Sequence, residues 1–166
     1  MQFHPHTPMS DTARAKKRLR EQCLTRRKDI PDATMAGASR AIARHFADHP
    51  ILAFAPSFAG YVAMRGEIDV FPIFEIMARF RKQTALPRMD TRTKLLQFRG
   101  WKLGDGLDVT AMGVREPKPD TPSLMPAIVL TPLIAFDADG FRLGYGGGWY
   151  DRTIATLRST DHPPLF

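Results

Sequence analysis

The chain has 166 residues, 43% of them hydrophobic, which suits one compact domain with a real core. Its net charge of +7 and pI near 10.0 favour anionic partners without choosing among nucleotides, nucleic acid and poly-acidic small molecules. A single cysteine, Cys23, excludes an intrachain disulfide and fits a reducing, cytoplasmic setting; no apolar run reaches membrane-spanning length.

Met1 to Met9 carries histidines and prolines but no apolar signal core, and is expected to be a frayed, disordered tail ahead of a single domain over 10–166. Ser10-Asp11 reads as a helix cap, and the Ala/Arg/Lys/Leu/Glu-rich run to about Lys28 as a helix. Pro31 opens a second helix, Asp32 to about Ala47, closed by Asp48-His49-Pro50. Ile51–Phe54 and Tyr61–Met64 are short apolar runs that read as buried strands. Asp69 can cap a third helix from Val70 to about Lys82, with Phe71, Phe74, Ile76, Met77 and Phe80 as its apolar positions. Thr84–Leu86 is a strand stopped by Pro87, and Lys94–Trp101 alternates as a strand. Residues 104–126, rich in Gly, Pro and Asp, read as a long connection. Ala127–Thr131 is a strongly apolar strand that Leu133–Phe136 extends, followed by the turn Asp137-Ala138-Asp139-Gly140 and a last helix opened by Asp151. Helices alternating with short apolar strands predict an α/β three-layer sandwich, a mostly parallel central sheet with helices on both faces.

The run Arg142-Leu143-Gly144-Tyr145-Gly146-Gly147-Gly148-Trp149-Tyr150-Asp151-Arg152 carries the strongest functional signal. Glycines without Cβ let a ligand approach the backbone, and their N–H groups can form an anion-binding concavity at the positive end of the following helix. The flanking arginines suit bidentate phosphate contacts and the aspartate suits a metal ion. The run is not a Rossmann fingerprint, because Trp149 stands where the third glycine belongs, and not a Walker loop, because no Lys follows. Asp137-x-Asp139-Gly140 lacks the glycine position of a calcium loop and reads as an ordinary turn.

Taken with Leu130-Thr131-Pro132-Leu133-Ile134-Ala135-Phe136-Asp137 before it, this run resembles the signature of the 5-formyltetrahydrofolate cyclo-ligase (5,10-methenyltetrahydrofolate synthetase) family. Lys16-Lys17-Arg18-Leu19-Arg20, Tyr61 with Gly66-Glu67-Ile68-Asp69, Leu86-Pro87-Arg88, and Gly113-Val114-Arg115-Glu116-Pro117 resemble further landmarks of that family in the right order. Trp149 stands where the family usually has Tyr, which keeps a flat aromatic but loses a hydroxyl. Members normally continue for a few tens of residues into more sheet and a late acidic segment, so the resemblance implies a domain lacking its C-terminal segment.

The resemblance implies a C–N bond-forming ligase that uses ATP as co-substrate and Mg2+ as cofactor in one-carbon metabolism. Arg142 would be the catalytic charge. Lys16, Arg20, Arg142 and the loop residues Leu143, Gly144, Tyr145, Gly146, Gly147, Gly148, Trp149 and Tyr150 would bind ATP. Tyr61, Val62, Glu67 and Trp149 would bind folate, and Asp151 would hold the metal. The partners expected are 5-formyltetrahydrofolate and ATP, with a monomer in the cytoplasm and neither nucleic acid nor membrane. Other readings stay open: a basic nucleic-acid-binding module built on helix 14–28, a phosphosugar isomerase or acyl-CoA transferase on a similar scaffold, or a truncated, inactive relative. Glu67 could simply place a carboxylate near a helix start, and Arg88 is equally open.

Overall fold

The computed structural model describes residues 10–50 and 54–166. The expected tail, residues 1–9, and the expected strand residues 51–53 lie outside these; Phe54, the last residue of that expected strand, is helical and largely exposed.

Helix α1 runs Asp11–Lys28, with the Ser10 hydroxyl accepting from the Ala13 N–H as the cap chemistry predicts, and α2 runs Asp32–Asp48 behind Pro31. Strand β1 is Ser57–Ala59, α3 is Phe71–Arg79, β2 is Gln83–Asp90 and β3 is Leu95–Gly100. Strands β4 (Leu107–Val109) and β5 (Arg115–Pro117) form a hairpin inside the expected connection. Strand β6 is Ile128–Val129, β7 (Ala135–Phe136) pairs with β8 (Arg142–Leu143), and α4 is Trp149–Arg158.

The main sheet has the order β3-β2-β1-β6, parallel for β1–β2 and β1–β6 and antiparallel for β2–β3. Neighbouring residues on each strand face opposite ways and build two cores. Phe58, Leu86 and Ile128 pack with Ala43 of α2 and with Ile73, Phe74 and Met77 of α3. Ala59, Ala85 and Val129 point to the other face, where Phe98 and Leu157 of α4 join them. The small Ala59 and Ala85 are fully buried on that face. Phe58, Phe74, Phe71 and Trp101 stack or meet edge to face with centroids 5.2–5.7 Å apart. The three-layer arrangement matches the expectation.

Several element boundaries do not. The expected strand Tyr61–Met64 is irregular backbone: the β1 ladder ends as the Gly60 N–H donates to Ala85 O, and the apolar run is buried by the core and by a cavity wall rather than by sheet neighbours. Helix α3 stops at Arg79, leaving Phe80 64% exposed instead of packed. Pro87 does not stop β2. The Trp101 N–H donates to Thr84 O, so in the alternating antiparallel ladder Leu86 and Arg88 point their amides toward β3 and Pro87 points its nitrogen away. The last rung with β1 is at Ala85, so no donor is missed there. Leu133–Phe136 does not lengthen β6; Ala135–Phe136 folds onto β8 across the turn at Asp137, whose Oδ1 accepts from the Asp139 and Phe141 amides. Gly148, not Asp151, caps α4. Leu165 returns beside β6 in a parallel bridge to Ile128.

Candidate functional site

The chain passes from β1 through α3 to β2 on one side, then returns to place β6 on the other side of β1. In open α/β sheets such a reversal leaves a crevice at the carboxyl ends of the parallel strands. A cavity of about 510 Å³ lies there, walled by the segments that follow β1 (Tyr61, Val62) and β6 (Pro132) and by the carboxyl-terminal half of β2 (Pro87, Met89). The volume falls within the range of roughly 300–1,000 Å³ usual for small-molecule sites.

Every residue given a catalytic, binding or metal role on the sequence lines this cavity: Lys16 and Arg20 from α1, Tyr61, Val62 and Glu67 after β1, Arg142 and Leu143 from β8, the loop Gly144–Gly148, and Trp149, Tyr150 and Asp151 from the first turn of α4. Lys16 and Arg20 are four apart and share a helix face. Arg20 donates from Nε to Gly144 O at 2.7 Å, and its guanidinium lies beside Gly146, whose φ of +97° a side chain rarely adopts. The loop is thus held to α1 through its own carbonyl, with Gly148 turning it left-handed into α4. Trp149 lies along the loop with the Arg152 guanidinium 5.4 Å from its ring centroid, and Arg152 Nε donates to Lys94 O.

Arg142 and Asp151 pair with each other at 2.5 Å, with Arg142 mostly covered and Asp151 74% exposed at its side chain. Among the described residues no group of three or more His, Cys, Asp or Glu side chains could hold a metal ion. Glu67 accepts from the Met64 amide through Oε2, and Glu116, nearly buried, accepts from the Met89 amide. Asp151 is therefore the accessible carboxylate beside the glycine loop. That donor set fits a Mg2+ ion shared between one carboxylate and phosphate oxygens, the usual mode for this ion, and not an all-protein cage.

Burial raises the Glu67 carboxyl above its ordinary range, opposed by the Met64 amide, the Tyr145 hydroxyl and the charges of Arg27 and Arg65. Burial also raises the phenols of Tyr61 and Tyr150, and the negative charge of Glu67 raises both further. Glu67 sits in irregular backbone ahead of α3 and faces the cavity, so it does not act as a helix-start carboxylate.

The sequence reading assigned no role to several wall residues: Met64, Arg65, Pro87, Met89, Leu96, Met112, Val114, Arg115, Glu116 and Pro132. Two landmarks, Leu86-Pro87-Arg88 and Gly113–Pro117, were visible signals for part of this set. Arg88 is spent on structure: its Nη1 donates to Pro117 O at 2.7 Å and lies 3.7 Å from both Asp108 and Glu116, holding the β4–β5 hairpin against β2.

The sequence profile of the 5-formyltetrahydrofolate cyclo-ligase family matches residues 12–165. The 5-formyltetrahydrofolate cyclo-ligase of Escherichia coli K12 is 31% identical over 122 residues, covering 70% of this chain and 67% of that protein. The enzyme of the same name from Mycolicibacterium smegmatis is 29% identical over 157 residues, covering 89% of this chain and 78% of its own. The solution structure of Aquifex aeolicus 5,10-methenyltetrahydrofolate synthetase superimposes with a TM-score of 0.71 at 26% identity, over 82% of this chain and 70% of the other. With the glycine loop, the cavity and the sheet order all in place, this chain belongs to the 5-formyltetrahydrofolate cyclo-ligase family of ligases.

Proposed function

We propose that this chain closes 5-formyltetrahydrofolate to 5,10-methenyltetrahydrofolate at the expense of ATP, releasing ADP and phosphate. The observation that carries the reading is that a phosphate-type glycine loop with Arg142, Arg20 and Asp151 shares one cavity with Glu67, Tyr61 and Val62. The N5-formyl oxygen is a poor leaving group. Transfer of the γ-phosphoryl group to it makes a good one; N10 then attacks the formyl carbon and loses its proton, and phosphate departs carrying the former formyl oxygen. Such a transfer needs alignment and charge neutralisation more than covalent help from the protein.

In this reading the loop amides and Lys16 hold the nucleotide phosphates, and Arg142 leaves Asp151 to meet the transferring group or the formyl oxygen. Mg2+, held through Asp151, supplies charge neutralisation on the phosphate oxygens when bound. Glu67 accepts from donors on the pterin, Tyr61 and Val62 form apolar wall, and Trp149 stacks on the folate or covers the cleft. Arg20 is spent on the Gly144 carbonyl and Lys16 faces the cavity, which leaves that face of α1 less suited to nucleic acid. The protein would act as a cytoplasmic monomer.

The test is the absorbance of methenyl product formed from 5-formyltetrahydrofolate, ATP and Mg2+. Folded protein giving no product overturns the activity. Arg142→Ala is expected to lower turnover about 100-fold or more with the fold intact, because it removes a positive charge that meets the developing negative charge; turnover within threefold of the parent removes the role given to Arg142.

A further inference from the structure

Arg27 lies outside the cavity wall, seven residues and two turns beyond Arg20 on the same face of α1. These two arginines are half-buried on a helix that has no buried residue. Arg27 is held by three acceptors: Nη2 donates to Leu133 O at 2.8 Å and to Ile134 O at 3.0 Å, and Nη1 donates to the Tyr145 hydroxyl at 3.2 Å. Its aliphatic stem runs past Gly66, where a Cβ would sit 3.3 Å from Arg27 Cγ. Tyr145 and Glu67 line the same cavity wall, and the Tyr145 hydroxyl is electrostatically coupled to the Glu67 carboxylate. Arg27, a donor only, occupies the acceptor side of the phenol oxygen, which leaves the single phenolic proton available to the Glu67 carboxylate. The Tyr145 main chain meanwhile belongs to the glycine loop.

We infer that Arg27 and Tyr145 are positioning residues that aim the Glu67 carboxylate into the cavity and tie it to the glycine loop, so that the phosphate end and the folate end of the site are coupled. The inference rests on the folate reading above for the identity of the ligand that Glu67 meets. The Tyr145 side chain, placed among ATP-binding groups by the sequence reading, serves the folate-side carboxylate in this account. Burial and the Glu67 carboxylate push its phenol up to about 12, so it stays a donor throughout the working pH range. The groups facing Glu67 are Arg27 from α1, Arg65 and the Met64 amide from its own segment, Tyr145 from the loop, and the phenols of Tyr61 and Tyr150. Arg65 also covers the Tyr145 ring at 5.8 Å and helps fix it.

Tyr145→Phe keeps the ring and the loop and deletes one hydroxyl. It is expected to raise KM for 5-formyltetrahydrofolate about 5- to 20-fold, the effect of one hydrogen bond to a charged group, while KM for ATP stays within about twofold. Against a Glu67→Gln background the same substitution should change little, because its route is gone. Carbon-detected NMR titration of the Glu67 carboxyl in ligand-free protein should show a higher pKa in Tyr145→Phe than in the parent. Mg2+ with ADP should alter folate affinity in the parent and do so less in Tyr145→Phe. Arg27→Lys, which keeps the charge but not the three-acceptor geometry, should move the same readouts in the same direction. An unchanged Glu67 titration, a rise in KM for ATP instead of folate, additive effects in the Glu67→Gln background, or equal nucleotide coupling in parent and variant overturns the proposal. Parent protein with no turnover overturns the proposed activity instead, and the NMR titration still decides the relay.

Discussion

Alanine substitutions along the glycine loop should differ sharply in cost, and the structure ranks them. Gly148 has φ +67°, and a Cβ there would lie 2.7 Å from Arg152 Nη1. Placing an L-residue in the left-handed region costs about 1–2 kcal/mol. The clash also drives the Arg152 guanidinium from Lys94 O, which Nε meets at 2.9 Å, and from the Trp149 ring. Losing that hydrogen bond and cation–π contact adds about 1–2 kcal/mol at this exposed site. Gly148→Ala should therefore cost about 2–4 kcal/mol. Gly147 lacks a positive φ, and its added Cβ would meet the Trp149 ring edge at 3.0 Å, a smaller strain of about 1 kcal/mol if the ring yields. Gly144 would meet Arg142 Nη1 at an ordinary 3.7 Å, so Gly144→Ala should stay within about 0.5 kcal/mol. Urea unfolding of the three variants measures the order, and KM for ATP should worsen most for Gly148→Ala. In an Arg152→Ala background the clash is gone, so the Gly148→Ala cost should fall to its backbone part. Equal stability of the three variants, or a Gly148→Ala cost unaffected by Arg152→Ala, would refute the reasoning.

Glu67 has a raised carboxyl pKa, so kcat/KM for folate should fall with acid above the ordinary carboxylate range, and Glu67→Gln should abolish that limb in a pH–rate profile. Stability runs the other way. A raised native pKa gives a contribution present below the unfolded pKa of about 4.3 and lost as pH rises through the native value. The denaturation midpoint of Glu67→Gln should accordingly exceed the parent's at neutral pH, with the gap narrowing in acid. Asp151→Asn should weaken ATP binding in the presence of Mg2+ and leave it equal or tighter in EDTA, since the carboxylate repels bare phosphate; calorimetry in the two buffers reads the reversal. Gly60→Ala should destabilise by about 1–3 kcal/mol, because its Cβ would sit 2.5 Å from Cε2 of Phe74, which is buried and ringed by Phe58, Phe71 and Trp101. Thermal melts check it, and an unchanged midpoint would mean that the ring moves freely.

The helices were legible because their signals are local. Ser10, Pro31 and the composition between them place α1 and α2 within a residue or so. The glycine loop was legible for the same reason, its chemistry being packed into one contiguous run. Short strands were harder, since an apolar run reports burial and not the partner that buries it. Tyr61–Met64 and Ile128–Val129 carry the same kind of signal, yet the first walls a cavity and the second pairs with β1. Pro87 reads as a stop in isolation, and only the phase of the β2–β3 ladder shows that its missing N–H faces no acceptor. Arg88 and Arg27 look alike in the sequence as cations in basic or Pro-adjacent surroundings; one braces a hairpin and the other reaches Tyr145.

By itself, then, the sequence determined the class of fold, the family resemblance and the phosphate-type loop, because each rests on residues close together in the chain. The tertiary structure decided which side chains meet: the Arg142–Asp151 pair across the loop, Arg20 on the Gly144 carbonyl, and Arg27 on the Tyr145 hydroxyl. Those contacts join residues up to 124 positions apart, and their geometry depends on how α1, the exit of β1 and the loop before α4 converge at the carboxyl end of the sheet.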